Sequence, residues 1–146
     1  MEDKFCVLDT NVIVYALNQH SPQHPFVHQC MDQLKEKGYR FCITEQILRE
    51  VLVVVTQSRN LQKPLDPESA KDFGTKLLHK FVFLPSNNLS RVNLLDLIEN
   101  HRLQGRCIHD ANIVAVMTAH QVKNLFTFNT KDFLRFRKIS LINIPH

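Results

Sequence analysis

Short apolar runs alternate with segments of helical spacing along this chain, and that alternation limits the fold more than any other feature. Phe5–Leu8, Arg40–Ile43, Phe81–Leu84, Asn124–Phe128 and Ser140–Ile144 have the length and residue types of strands. Between them, Phe26, Cys30 and Leu34 recur every four residues with Val27 and Met31 beside them; Pro25 suits the first turn of that helix and Gly38 its end. From Thr44 to about Ser58, Ile47, Val51, Val54 and Val55 share one arc. A more polar helix starts near Pro67 and closes with Leu77 and Leu78, and Val92, Leu95 and Ile98 mark another. Asp110 to His120 is apolar nearly all round, which suits a helix buried inside a domain. Strands alternating with helices predict the α/β class, with helices on both faces of a mostly parallel sheet. Such folds bind ligands outside the carboxyl ends of the strands, so chemistry is to be sought there.

Length and composition narrow the rest. A chain of 146 residues fits a single domain spanning 1–146. With 44% hydrophobic and 22% charged residues it is not a disordered polyampholyte, and with 3 Gly it holds no glycine-rich phosphate loop. Its net charge of +4 favours a polyanionic partner without proving one. Cys6, Cys30, Cys42 and Cys107 form no C-x-x-C motif and sit in apolar settings, which predicts free, buried thiols. Polar punctuation falls at Asn18 to Pro25, Ser58 to Pro67, Pro85 to Asn88 and Gly105; the second is the longest loop candidate. The opening Met-Glu-Asp-Lys is not a signal peptide, and the longest apolar runs, Val51–Val55 and Ile113–Met117, fall far short of the ~20 residues that span a bilayer. The expectation is a soluble cytoplasmic protein with no membrane association.

Four acidic residues stand at or near strand–helix junctions. Asp9 directly follows Phe5-Cys6-Val7-Leu8, where a carboxylate is costly unless paired; it also has the chemistry of a helix N-cap. Glu50 lies on the edge of the apolar arc of its helix rather than opposite it, where a Glu is ordinarily a boundary residue reaching water; Glu45, in the first turn, is more simply a helix-dipole partner. Asp110 opens the apolar helix, again with capping as the ordinary explanation, and Asp132 lies just past a strand in a segment that also reads as a turn. A parallel sheet gathers such positions along one edge. Carboxylates packed together raise one another's pKa, and a hard divalent cation removes that conflict. Oxygen-only ligation by few protein groups suits Mg²⁺ or Mn²⁺, which can activate water against a phosphodiester.

The segments Val7-Leu8-Asp9-Thr10-Asn11-Val12, Ile43-Thr44-Glu45-Gln46-Ile47-Leu48-Arg49-Glu50, His109-Asp110-Ala111-Asn112-Ile113-Val114-Ala115 and Leu125-Phe126-Thr127-Phe128-Asn129-Thr130-Lys131-Asp132-Phe133 resemble, in order and spacing, those of PIN-domain ribonucleases, specifically the VapC-type toxins of prokaryotic toxin–antitoxin pairs. The resemblance implies a three-layer α/β/α sandwich around a parallel sheet and a metal-dependent endoribonuclease. By position it makes Asp9, Glu50 and Asp110 the core acids and metal ligands, holding Mg²⁺ or Mn²⁺. Thr44 matches the small hydroxyl residue opening the Glu50 helix, and Asn11 the polar residue orienting the first Asp. Many relatives carry an acid where this chain has Asn129, with another a few residues on; here Asp132 can take that catalytic role, and the departure bears on a second metal. The resemblance further implies a cognate antitoxin that binds helices near the amino terminus, with Asn18 to Leu34 as the candidate surface, and a homodimer.

Basic residues cluster beside two of the acids. Arg102 and Arg106 lie with His101 and His109 ahead of Asp110; Lys131, Arg135, Arg137 and Lys138 interleave with Phe128, Phe133 and Phe136. Arg102, Arg106, Lys131 and Arg135 are the candidate RNA contacts, with exposed aromatics stacking on bases; the alternative is a solvated face over core phenylalanines. His20, His24 and His28 recur every four residues, but Pro22 and Pro25 break a continuous helix and suggest surface histidines in a loop. A haloacid-dehalogenase-type phosphatase would need an acid where Asn11 stands. A PIN-fold module that binds RNA or protein without turnover, and a PIN nuclease of RNA maturation with no toxin role, are the competing functions.

Overall fold

The computed structural model describes residues 4–57 and 63–142. The opening residues 1–3, positions 58–62 of the expected Ser58–Pro67 loop, and the end of the expected last strand lie outside them. In chain order the elements are β1 (Lys4–Leu8), α1 (Thr10–Leu17), α2 (His24–Glu36), β2 (Tyr39–Thr44), α3 (Glu45–Thr56), α4 (Pro67–Lys80), β3 (Val82–Leu84), α5 (Asn88–His101), α6 (Cys107–Ala119), β4 (Asn124–Phe126), α7 (Thr130–Phe133) and β5 (Ser140–Leu141). The strands form one parallel sheet in the order β3-β2-β1-β4-β5.

That order fixes both the layers and the crevice. From β1 the chain steps outward to β2 and β3, then crosses back to β4 on the other side of β1. Crossovers between parallel strands are right-handed, so reversing the direction of travel moves the connecting helices to the opposite face. Accordingly α1 contacts α2 and α3, and α3 contacts α4, while α5, α6 and α7 form a second group. The sandwich has three layers, and the reversal opens a crevice at the carboxyl ends of β1 and β4.

Local sequence explains most elements. Pro25 stands in the first turn of α2. Asp66 caps α4, its carboxylate accepting from the Ser69 N–H at 2.7 Å, with Pro67 at the first helical position. Asn87 and Ser90 close a capping box at the start of α5. Gly38, with φ of 92°, turns the chain from α2 into β2. The middle of the sheet and nearly every residue of α6 from Ala111 to Met117 are buried, as the all-round apolar pattern requires. Cys6, Cys30 and Cys42 are buried free thiols, whereas Cys107 is partly exposed. Burial pushes the Cys6 thiol to about 12 and the Cys42 thiol to about 11, which makes both unreactive.

Of the apolar residues that mark α5, Ile98 packs against the core, whereas Val92 is 54% and Leu95 66% exposed, and Leu89 is exposed with them. The helix meets α6 through buried Ser90, partly buried Leu94 and Leu97, and Asn93, whose amide donates to the Ala115 carbonyl at 3.2 Å. One expectation is corrected here: His24 and His28 are not loop residues. Both lie on α2, with His24 Nδ1 2.9 Å from the Tyr15 carbonyl and His28 Nε2 2.8 Å from the Ala16 carbonyl, tying α2 to the unpaired carbonyls that end α1.

Candidate active site

The crevice is built outward from Asp9. It is 6% exposed and adopts the extended backbone of an N-cap, with φ of −71° and ψ of 160°. Its N–H donates to the Phe126 carbonyl at 2.9 Å, carrying the β1–β4 pairing one residue past the strand. One carboxylate oxygen accepts from the Thr10 N–H at 2.8 Å, and the other accepts from the Thr127 hydroxyl at 2.7 Å. Capping and placement in the crevice are therefore one geometry, not alternatives. Burial raises the pKa of Asp9; the Thr127 and Thr10 hydrogen bonds pull it down, and the charges of Glu50 and Asp132 push it up again.

Glu50 turns toward the crevice from the second turn of α3. The Thr10 hydroxyl donates to its Oε2 at 2.7 Å, and the Gln46 amide donates to its Oε1 at 2.8 Å. Gln46 sits one helical turn earlier, so the pair meets by ordinary i, i+4 spacing. The same amide donates to the His109 carbonyl at 3.0 Å, while Asn112 donates to Gln46 Oε1 at 2.8 Å. This chain fastens α3 to the first turn of α6.

Asp110 lies within that turn. It is not the helix cap, because α6 begins three residues earlier at Cys107. It receives no hydrogen bond from any described residue. Burial and the charges of Asp132, Asp9 and Glu50 push its carboxyl up to about 6, against a smaller opposing effect of His109. Asp132 lies exposed on α7, and its charge adds to the raised pKa of both Asp9 and Asp110.

The remaining sequence-predicted residues divide. Thr44 caps α3, its hydroxyl oxygen accepting from the Ile47 N–H at 3.2 Å, and so supports Glu50 through the helix rather than by contact. Asn11 does not touch Asp9; its side-chain oxygen accepts from the Phe128 N–H at 3.3 Å and holds the loop after β4. Asn129 contributes its backbone, donating to the Thr127 hydroxyl oxygen at 3.0 Å while that hydroxyl donates to Asp9. Arg102, Arg106, Lys131 and Arg135 are all exposed. Arg102 ends α5 with φ of 55°, and Arg106 precedes α6. Of the interleaved aromatics, Phe133 and Phe136 are buried and Phe128 packs edge-on against Tyr15 at 5.0 Å, so these rings belong to the core rather than to a stacking platform. Thr127, Thr10, Gln46 and Asn112 were not singled out in the sequence. Only the four-residue spacing of Gln46 to Glu50 signalled any of them.

The donors offered to a cation are all oxygens, from acids that destabilise one another's charge, which is the chemistry Mg²⁺ or Mn²⁺ relieves. Among the described residues no three His, Cys, Asp or Glu side chains stand close enough to form a ready metal cage. Mg²⁺ does not demand one, since one or two carboxylates with water complete its shell. The donor set fits such an ion.

An open parallel sheet with an acidic crevice at its reversal point defines the class. The PIN domain family model matches residues 6–139, and the chain belongs to that family. No curated protein matches the sequence. Solved structures share the fold across nearly the whole chain. VapBC2 from Rickettsia felis, bound to a DNA fragment from its promoter, is similar at 21% identity and TM-score 0.68, covering 95% of this chain and 98% of that one. VapBC-1 from nontypeable Haemophilus influenzae is similar at 17% identity and TM-score 0.68, covering 95% and 97%. VapC20 of Mycobacterium tuberculosis, a sarcin–ricin loop cleaving toxin, is similar at 13% identity and TM-score 0.66, covering 90% and 95%.

Proposed function

We propose that this protein is a Mg²⁺- or Mn²⁺-dependent endoribonuclease and the toxin of a type II toxin–antitoxin pair, acting in the cytoplasm. The observation that carries the reading is the Asp110 carboxyl, pushed up to about 6 by burial and by the charges of three other acids. Like charges crowded at a ligand crevice, with raised pKa values, mark a candidate functional site. Asp9, Glu50 and Asp110 would hold the cation, with Asp132 at the rim. A bound divalent ion lowers the pKa of its water and neutralises charge on a phosphodiester. The protein's own part is positional: Thr127 and Thr10 orient Asp9 and Glu50, Gln46 and Asn112 hold α3 against α6, and the exposed arginines and lysines offer charge to flanking phosphates.

A partner surface supports the toxin part of the reading. A cavity of about 230 Å³ between α1, α2 and α4 is lined by Ile13, Leu17, Met31 and Phe73 and rimmed by Lys35 and Lys76. An amphipathic antitoxin segment with acidic flanks suits it. The outward Leu89, Val92 and Leu95 of α5 are an apolar stripe of the kind a second copy covers, which supports a homodimer.

The test incubates total RNA with the protein and Mg²⁺ or Mn²⁺ and maps the cut ends. Cleavage is expected to require metal and to vanish in Asp9→Asn, whose Asn keeps the helix cap. Full metal-dependent activity in that variant refutes the assignment, and RNA bound but never cut favours a module without turnover. Toxicity on expression, suppressed by a neighbouring gene product, separates a toxin from an RNA-maturation nuclease.

A further inference from the structure

Outside the acidic crevice, a second cleft of about 330 Å³ lies where α5, α6 and the chain after α7 meet. Arg135, Arg137 and Lys138 stand on its rim. Among the described residues none of the three makes an ion pair or side-chain hydrogen bond, and the ion pair found there is Lys76–Asp72 on α4. Three uncommitted cations over one cleft attract an anion, with Asp96 the acid in the lining. Deeper in, Leu97 and Val114 supply an apolar wall. Asn100 adds a free amide, and Asn93 retains its carbonyl oxygen because only its amide nitrogen is engaged. Cations at the rim, an apolar wall and amides along the lining match a phosphate joined to a flat heterocycle.

The cleft is also in register with the crevice. Val114 and Thr118 line it, and they follow Asp110 at four-residue spacing on one face of α6. A rise of about 1.5 Å per residue puts them roughly 6 and 12 Å from Asp110 along the helix. On the other side, Asp132 and Arg135 are three residues apart at the end of α7.

We infer that the α5–α6 cleft is a nucleotide subsite, taking one phosphorylated nucleotide with its phosphate on Arg135, Arg137 and Lys138 and its base against Val114 and the two asparagines. As a subsite for an RNA strand it rests on the nuclease reading; as a site for a free nucleotide it does not.

Binding is measured in metal-free buffer with EDTA, where no cleavage occurs. Labelled single-stranded RNA is titrated against the wild-type chain and against Arg137→Gln/Lys138→Gln, both exposed substitutions. The double variant is expected to bind at least fivefold more weakly. Its slope of log Kd against log salt is expected to fall by about 1.4, from roughly 0.7 per lost phosphate contact on single strands. Unchanged affinity and slope overturn the subsite, as does equal weakening in Lys63→Gln/Lys71→Gln, which removes the same charge elsewhere. A second arm follows backbone amide resonances of Asn100 and His101 during titration with adenosine monophosphate or with RNA. Shifts with both assign a free-nucleotide site, shifts with RNA alone assign a strand subsite, and shifts with neither overturn the inference. Because binding is read without turnover, a chain that binds here and never cuts RNA loses the nuclease reading and keeps this one.

Discussion

The Thr127 hydroxyl donates to the Asp9 carboxylate at 2.7 Å across 118 positions of sequence. The same oxygen accepts the Asn129 N–H at 3.0 Å, so one hydroxyl joins the ends of β1 and β4 and sets the direction of the acid between them. Thr127→Val keeps the shape and removes both bonds. With its hydrogen bond gone the Asp9 pKa rises further, so the acid limb of the pH–rate profile should move to higher pH. Metal-dependent cleavage at neutral pH should fall about tenfold, in line with the ~1.5 kcal/mol of a hydrogen bond to a charged group. Thr127→Ser should restore both; identical profiles for Val and Ser would remove Thr127 from the site.

Asp110 gives a stability test with a definite sign. Its folded pKa, about 6, lies above the ordinary 3.8, so the folded state holds the extra proton between those values. Stability therefore falls as pH rises through that window, and the full penalty stands above pH 6. Asp110→Asn removes the charge. Without metal at pH 7.5 the variant should melt about 2–4 °C above wild type. The gap should close as pH falls toward 4. Adding Mg²⁺ or Mn²⁺ should raise the melting temperature of wild type far more than that of the variant. Thermal melts at two pH values, with and without metal, decide it.

Gln46 is 6% exposed and uses both amide hydrogens and its oxygen within the structure. Gln46→Ala should cost about 1–3 kcal/mol by leaving buried groups unpaired. Urea unfolding measures that cost. Cleavage should drop in the folded variant, because α3 and the first turn of α6 lose their shared tether. A stable variant with unaltered turnover would show that the tether is dispensable.

Phe133 and Leu134 are neighbours with opposite surroundings, one buried and one 68% exposed. Phe133→Ala should cost about 3–5 kcal/mol and loosen the helix that carries Asp132. Leu134→Ala should stay within about 0.5 kcal/mol. Denaturant midpoints for the pair check both figures.

The parallel sheet was legible because its apolar runs are short and separated by helical repeats, and the four acidic positions stood out because a parallel sheet brings strand ends together. What stayed hidden has common physical causes. Thr10, Thr127 and Asn112 are small neutral polar residues whose partners lie on other elements, and nothing in local spacing reveals a partner 40, 118 or 66 positions away. The family resemblance made Asn11 a support for Asp9, yet its side-chain oxygen accepts from the Phe128 N–H and holds the loop after β4. On α5 the apolar spacing identified the helix but did not tell which face lies inward. Asn93 can face α6 because its amide finds the Ala115 carbonyl there, and Ser90 can be buried because its hydrogen bonds return to Asn87 in its own helix cap, while Val92 and Leu95 point outward.

That Asp9 both starts α1 and carries a charge in the crevice has a genetic corollary. Aspartate and asparagine codons differ by a single base, and asparagine starts helices equally well. On the nuclease reading proposed above, loss of chemistry without loss of shape is thus one point mutation away. A lineage that silences its copy by that route would still make a folded decoy, able to occupy whatever partner the active form occupies.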